Sequence, residues 1–321
     1  MKEEILRVLH RGRYVSGTEL ARQLKVSKVA IWKHIQTLKS DGYSIESRPR
    51  KGYHLIAAPD LLLPYEVKQG LKTKFVGREI SYYREVDSTQ ELAKKLATKG
   101  SEEGTLVIAE TQTAGKGRRN RNWYSPEGGI YLSIILRPEV SPSRAPIMAL
   151  LAGLAAAKTI RKLYDLKAEL KWPNDILVND RKVGGVLIEI AAEPDLINWL
   201  VVGIGLNANT KSASLPRELR TTAVSLEKEY GRKIPRVELV RKLLEEVEQL
   251  YLVFKKQGSA PILEGWKSMT NTLGVQVRVT NGEVIEGKAM DVDQDGALII
   301  KLADGNVRRV VAGDVSLRRK R

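Results

Sequence analysis

The sequence predicts an α+β protein of several domains: an N-terminal winged helix-turn-helix, a central mixed α/β domain and a small C-terminal β-barrel. Three observations carry that reading. Residues 1–60 hold helix-spaced apolar stripes followed by a basic hairpin. Residues 61–268 set apolar strands among long amphipathic helices, and several strands follow one another through short turns. That order favours a mixed sheet over a clean βαβ alternation. Residues 269–321 are short alternating strands separated by Asn281-Gly282, Asp295-Gly296 and Asp304-Gly305, a run of hairpins that a small barrel closes compactly.

In the first domain, KEEILRVLH places Ile5, Leu6 and Leu9 on one face. SGTELARQL opens on Ser16 with Glu19 three residues on, a capping box, and continues with Leu20, Ala21 and Leu24 at helical spacing. After the short turn KVS, Ser27 caps a third helix whose Ile31, Ile35 and Leu38 recur at i, i+4 and i+7, with Gly42 past its end. The helix-turn-helix spans about residues 17–36. Lys28, Lys33, Gln36, Thr37 and Lys39 lie off the apolar stripe and include side chains that read base edges and phosphates. The strand-like runs around Arg48-Pro49-Arg50-Lys51-Gly52 form a wing over about 45–56. The candidate DNA contacts are Ser27, Lys28, Lys33, Gln36, Thr37, Arg48 and Arg50. Twelve Lys and Arg stand against six Asp and Glu in residues 1–60. A small helical packing domain with solvated charges is the alternative for this segment.

Composition narrows the chemistry. The net charge of +16 favours an anionic partner. The absence of cysteine excludes disulfides, thiolate metal sites and cysteine nucleophiles. The three histidines, His10, His34 and His54, all fall in the first 54 residues, so any chemistry beyond them runs without imidazole. No secretory signal and no membrane-length apolar run is present, and a cytoplasmic protein without a membrane partner is expected.

The stretch AAPDLLLP, residues 57–64, reads as a linker or domain entry. Central helices are expected near STQELAKKLATKG, RAPIMALLAGLAAAKTIRKLYD and PRVELVRKLLEEVEQLYLVFKK. Strands are expected at EISYYREV, GTLVIAE, GIYLSIIL, the hairpin ILVND-RKVGGVLIEI, and WLVVGIGLN. The P-loop pattern is absent, because Gly117 follows Lys116 where Ser or Thr is required. GIGLNA, residues 203–208, matches G-x-G-x-x-A but runs into a loop instead of a helix, against a dinucleotide site. The C-terminal LRRKR reads as a solvated basic tail.

The stretch TQTAGKGRRNRNWYSPEGG is the most telling. Gly115 and Gly117 allow close backbone approach to a ligand, and Lys116, Arg118, Arg119 and Arg121 supply fixed positive charge suited to a polyphosphate. Four like charges and two glycines favour a flap that moves when empty. Trp123 has two roles open to it, stacking on a purine or anchoring the loop. VDSTQE puts Asp87, Ser88 and Thr89 where a strand meets a helix, and Ser88 with Glu91 makes another capping box. KWPNDILVNDRKVGG carries Lys171, Trp172, Asn174, Asp175 and Lys182 around a turn and hairpin.

Together, STQ (88–90), ETQTAGKGRRNRNW (110–123), KWPNDI (171–176), RKVGGVLIE (181–189) and GIGLNAN (203–209) resemble the biotin–protein ligase family, and the winged helix resembles its bifunctional ligase/repressor form. The resemblance spans nearly the whole chain. The flap departs from the usual Gly-Arg-Gly-Arg-Arg-Gly, with Lys116 for the first arginine and Asn120 for the last glycine. The resemblance implies a class II synthetase-like catalytic domain over 61–268 and an SH3-like barrel over 269–321. It implies biotin between Ser88, Thr89, Gln90, Gln112, Lys116, Gly117, Arg118 and Lys182. It implies ATP with Mg2+ against Arg118, Arg119, Arg121, Asn174, Lys182 and Asn207. Gly115, Trp123, Lys171 and Gly185 complete the expected ligand set. Lys182 and Arg118 are expected to act on the reacting groups, and Asp175 to orient or deprotonate an incoming lysine. The implied reaction forms biotinyl-5′-AMP and transfers biotin to a lysine of a biotin carboxyl carrier domain. The adenylate-bound homodimer is then expected to repress biotin synthesis genes at an operator. A lipoate-type acyl ligase and a non-catalytic biotin-sensing repressor are the alternatives.

Overall fold

The computed structural model describes residues 1–318, and the tail expected over 317–321 lies, for 319–321, outside them. The chain divides into two compact units, 1–61 and 62–321.

The first unit holds α1 (Lys2–Leu9), α2 (Gly17–Leu24), α3 (Lys28–Ser40), β1 (Ser44–Arg48) and β2 (Gly52–Ala57). Its core is the expected stripe: Ile5, Leu6, Leu9, Leu20, Ile31, Ile35 and Leu38 are buried with Val15, Tyr43 and Ile45. The Ser16 hydroxyl accepts from the Glu19 amide at 3.0 Å, and the Ser27 hydroxyl from the Ala30 amide at 3.1 Å. The Glu19 carboxylate accepts instead from Arg13 and Gln23, so only half of the first capping box forms. Lys25, at φ 53, closes the turn between α2 and α3. The wing is tied back at Gly52, where a β-carbon would collide with the Val15 carbonyl. Tyr14 braces it: His54 stacks at 4.9 Å, the Arg48 guanidinium lies 5.3 Å over the ring, and the Tyr14 hydroxyl binds Glu46.

The second unit is built on a seven-stranded sheet in the order β3-β4-β5-β9-β8-β7-β6. Its strands are β3 (Ile80–Val86), β4 (Leu106–Gln112), β5 (Ile130–Leu136), β6 (Ala168–Lys171), β7 (Asp175–Val178), β8 (Arg181–Ala192) and β9 (Ile197–Leu206). Only β3 and β4 pair in parallel; every other neighbour is antiparallel, which is the mixed sheet expected. Alternation sorts the two faces. Ile108, Leu132, Ile134 and Val202 join the main core with α6 (Ala145–Tyr164), α8 (Arg236–Gln257) and α9 (Ala260–Lys267), whereas Val107, Ile135 and Val201 pack on Ala93 and Ala97 of α5 (Thr89–Thr98). α6 is apolar nearly all round, as a helix between a sheet and other helices must be. Two short helices, α4 (Pro64–Lys68) and α7 (Leu226–Tyr230), complete the unit's α-helices.

The entry to this unit is fixed by a buried ion pair. Glu110 meets Arg236 at 2.8 Å, and its other oxygen accepts from the Leu62 amide at 2.7 Å. Both side chains are under a tenth exposed, so their charges require each other. The C-terminal hairpins form a five-stranded antiparallel sheet, β13-β12-β11-β10-β14, from β10 (Gln276–Asn281), β11 (Glu283–Val292), β12 (Leu298–Lys301), β13 (Val307–Val310) and β14 (Asp314–Arg318). Asn281 opposes Glu283 across Gly282, which alone turns the chain at φ 78, so the expected hairpin forms at Asn281-Gly282. Trp172 locks this sheet to the central one. It is 1% exposed, and its indole donates to the Gly296 carbonyl at 3.0 Å.

Candidate active site

A cavity of about 960 Å³ opens on the α5 side of the central sheet. Its floor is two registered rows, Ser133–Gly203–Leu187 and Tyr131–Gly205–Gly185 across β5, β9 and β8. The glycines are a packing requirement. A β-carbon at Gly203 would meet the Gln90 amide oxygen at 2.5 Å, and one at Gly205 would meet the Trp123 indole at 2.6 Å.

One end is neutral and nearly saturated with hydrogen bonds. The Gln112 amide oxygen accepts from Thr89 N (2.8 Å) and Thr89 Oγ1 (3.1 Å); Thr89 Oγ1 meets Ser133 Oγ at 3.0 Å; Ser133 donates to Gln90 Oε1 (3.1 Å); Gln90 Nε2 donates to the Val201 carbonyl (3.2 Å). Ser88 stands apart. Its hydroxyl is buried, lines the cavity and has no hydrogen-bond partner among the described residues. The second expected capping box is therefore not formed. The Ser88 hydroxyl takes no helix amide, which leaves it for whatever fills the cavity, and the Glu91 carboxylate is held by Lys94 (2.7 Å) and Lys116.

The other end is cationic. Lys182 Nζ lies 2.5 Å from Asp175 Oδ1 and 5.3 Å from the centre of the Trp123 ring, and Lys171 reaches the other Asp175 oxygen at 3.9 Å. Arg118 donates to Asn174 Oδ1 at 3.3 Å and to the Gly313 carbonyl at 3.2 Å. Burial pulls the Arg118 guanidinium below its ordinary pKa, and the charges of Asp314 and Asp175 oppose that fall. Asn207 is buried at the rim and donates to the Val224 carbonyl at 3.3 Å.

The flap folds as a hairpin. Trp123 N donates to the Gly115 carbonyl at 2.8 Å and Gly117 N to the Arg121 carbonyl at 2.7 Å. Arg119 (φ 54) and Asn120 (φ 58) both take the left-handed conformation at its tip, and asparagine is the non-glycine residue that accepts this most readily. Repulsion among the cations is offset by partners on other elements. Lys116 pairs with Glu91, and Arg119 (3.3 Å) and Arg121 both pair with Asp314.

Every residue of the expected ligand set lines this cavity except Gly115 and Arg119. Gly115 lies at the base of the flap hairpin, where a β-carbon would meet the Trp123 carbonyl oxygen. Arg119 turns to the C-terminal sheet, donating to the Thr280 carbonyl (2.8 Å) and to Asn281 Oδ1 (3.2 Å); its place on the turn directs it away from the cavity. Ser133, Gly203, Gly205 and Asp314 were missed. A lone serine in IYLSIIL and glycines two apart in VGIGL were the available signals for the first three. Asp314 carried none.

In the first unit, Ser27, Lys28, Lys33, Gln36, Thr37, Arg48 and Arg50 are all exposed. Arg48 is held by Glu46 at 2.7 Å. Val29 (62% exposed) and Trp32 (53%) share the outer face of α3 with Lys33, Gln36 and Thr37, and charge-based reading overlooked them.

Comparison with known proteins meets this geometry. Residues 82–207 match the biotin/lipoate A/B protein ligase family, 2–54 an HTH domain and 272–318 the biotin protein ligase C terminal domain. The chain is 37% identical to the bifunctional ligase/repressor BirA of Bacillus subtilis (strain 168), over 95% of this chain and 94% of that one. It is 33% identical to the bifunctional ligase/repressor BirA of Escherichia coli (strain K12), over 98% and 96%. The structure of the biotin protein ligase from Aquifex aeolicus in complex with biotin and ATP superposes with a TM-score of 0.66 at 30% identity, covering 76% of this chain and 100% of that one. The chain thus belongs to the biotin protein ligase family, with the helix-turn-helix organisation of its bifunctional ligase/repressor members.

Proposed function

We propose that this chain activates biotin with ATP, transfers it to a lysine of a biotin carboxyl carrier domain, and represses transcription when the adenylate stays bound. The observation that carries the reading is a single cavity with an unpartnered buried hydroxyl, Ser88, at its neutral end and Lys182 with Arg118 at its cationic end. A neutral bicyclic urea with a carboxylate tail matches that polarity, and ATP adds a polyanion at the cationic end.

In the first step the biotin carboxylate attacks the α-phosphorus of ATP. The bond to the bridging oxygen breaks, pyrophosphate leaves and biotinyl-5′-AMP forms. No enzyme nucleophile takes part. The chain contributes alignment and charge: Lys182 bridges carboxylate and phosphate, and Arg118 faces the charge that builds on phosphorus. In the second step the carrier lysine attacks the mixed anhydride, AMP leaves, and Asp175 accepts or orients the amine proton. Mg2+ is proposed to travel with ATP, where it neutralises phosphate charge. Asp175 is already held by Lys171 and Lys182, and no group of three acidic or histidine side chains among the described residues could cage the ion.

The exposed face of α3 and the wing are proposed to bind a two-fold operator as a homodimer, with the adenylate promoting assembly. No helix among the described residues is long and apolar enough to cross a membrane, and a cytoplasmic site of action is proposed. The test is mass spectrometry of a carrier domain after incubation with the chain, ATP, Mg2+ and biotin or lipoate. A biotin adduct on one lysine is expected. A lipoyl adduct under competition, or none, would overturn the reading.

A further inference from the structure

The flap's cations divide by direction. Arg118 faces the cavity, but Lys116, Arg119 and Arg121 direct their charge to carboxylates outside the flap, although Lys116 and Arg121 also line the cavity. Lys116 reaches Glu91 in the first turn of α5, the helix that follows Ser88. Arg119 and Arg121 share Asp314 at the start of β14, and Arg119 also takes the Thr280 carbonyl and Asn281 of the adjoining β10 hairpin. We infer that Glu91 and Asp314 are positioning residues that pin the two sides of the flap hairpin, and that together they set how long the activated intermediate stays enclosed. The inference rests on the ligase reading above.

Three observations support it. The latches sit on opposite sides of the hairpin tip, Lys116 before it and Arg121 after it, so either one alone leaves a strand of the hairpin free to lift. The Glu91 carboxylate is itself held. Glu91 also binds Lys94, which binds Glu189 at 2.8 Å, and the contacts from Lys116 and then Lys94 hold the Glu91 carboxyl below its ordinary pKa. Finally, the hairpin carries Trp123 onto the glycine floor beside Lys182, so flap position and cavity shape are one variable. The C-terminal sheet thereby acquires a role at the site, since Gly313, Asp314, Thr280 and Asn281 form the anchorage for three flap arginines.

Both latches are partly solvent-exposed, so each contributes modestly and in a salt-dependent way. Removing one should speed release of biotinyl-5′-AMP roughly two- to fivefold, and removing both should multiply the effects, since they sit on different elements. Two readouts on the full chain test this. The first is the residence time of adenylate formed in situ, in Glu91→Gln, Asp314→Asn and the double variant, at low and high salt. The second is amide hydrogen exchange over residues 115–123 without ligand, in the same variants, in Glu91→Lys and in the swapped pair Glu91→Lys/Lys116→Glu. Expected are shorter residence, faster flap exchange in each single variant, and exchange restored toward the unmodified chain by the swap. Unchanged flap exchange in both single variants, or a swap no better than Glu91→Lys alone, would overturn the inference. If the unmodified chain forms no adenylate, the ligase reading fails, and the exchange experiment still decides whether the latches exist.

Discussion

Lys182→Ala is the sharpest test of how the cavity works. The ammonium sits 2.5 Å from Asp175 and about a third of its side chain is exposed, so the resting ion pair is a modest one, worth no more than about 1 kcal/mol. In the transition state the same ammonium is proposed to face charge shared between carboxylate and phosphorus inside a closed flap. A preorganised donor in that role contributes about 2.7–4 kcal/mol. Leaving Asp175 offsets about 1 kcal/mol of this, so the net loss should be about 2–3 kcal/mol, or roughly 30- to 150-fold in rate. Biotin-dependent ATP–pyrophosphate exchange reads the first step alone. The fall should appear there, while the melting temperature moves little, because Asp175 keeps Lys171 at 3.9 Å. Lys182→Arg should recover part of the rate, since the charge persists but its geometry is planar. A decrease of less than about threefold in Lys182→Ala would refute the bridging role.

Three further perturbations separate floor, frame and DNA face. Gly205→Val should abolish tight ligand retention, because even its β-carbon lies 2.6 Å from where the indole now rests and Trp123 must lift; isothermal titration with biotin and ATP checks it, and wild-type affinity would refute it. Glu110→Ala should cost about 3–5 kcal/mol in denaturant unfolding, since it breaks a buried ion pair and frees the Leu62 amide; a loss under about 1 kcal/mol would count against the buried pair. Trp32→Ala should weaken specific DNA binding about tenfold without changing the salt slope, because the lost contact is apolar, and should leave carrier biotinylation unchanged. An altered salt slope would show that Trp32 acts through the neighbouring cations.

Local rules carried much of this fold in advance. Ser16 and Ser27 cap helices because a hydroxyl before an apolar stripe has one obvious donor to satisfy, and the chain turns at Gly282 because glycine accepts the positive φ found there. Elements without such signals were not legible. β6 is four residues, AELK, with no β-branched side chain, and it is a strand because β7 pairs with it. α9 has Pro261 near its start and packs on α6, which no local pattern announces. Within the site, residue types were legible and their pairing was not. Ser88 and Thr89 look equivalent in STQ, yet Thr89 is consumed by Gln112 and Ser133 while Ser88 is left open. Arg118 and Arg119 are adjacent and identical, and only the left-handed backbone at Arg119 sends one inward and the other to a strand about 160 residues away.

That division has an energetic consequence for the order in which the flap's cations matter. A cation already paired with a carboxylate must break that pair to serve a phosphate, so its net gain is the difference between two anions. Lys116, Arg119 and Arg121 are in this position. The hydrogen-bond partners of Arg118 are the neutral oxygens of Asn174 and Gly313, and burial already disfavours its charge. An arriving phosphate therefore replaces weak partners with a charge-assisted pair in a partly desolvated setting, the largest available improvement. Arg118→Ala should accordingly reduce adenylate retention more than Arg121→Ala, and Arg121→Ala more than Arg119→Ala, whose effect should shrink but persist when Asp314 is already Asn, because Arg119 keeps Thr280 and Asn281. Equal losses at all three positions would mean that the loop acts as a diffuse cloud of charge, and the directional account of the hairpin would have to be abandoned.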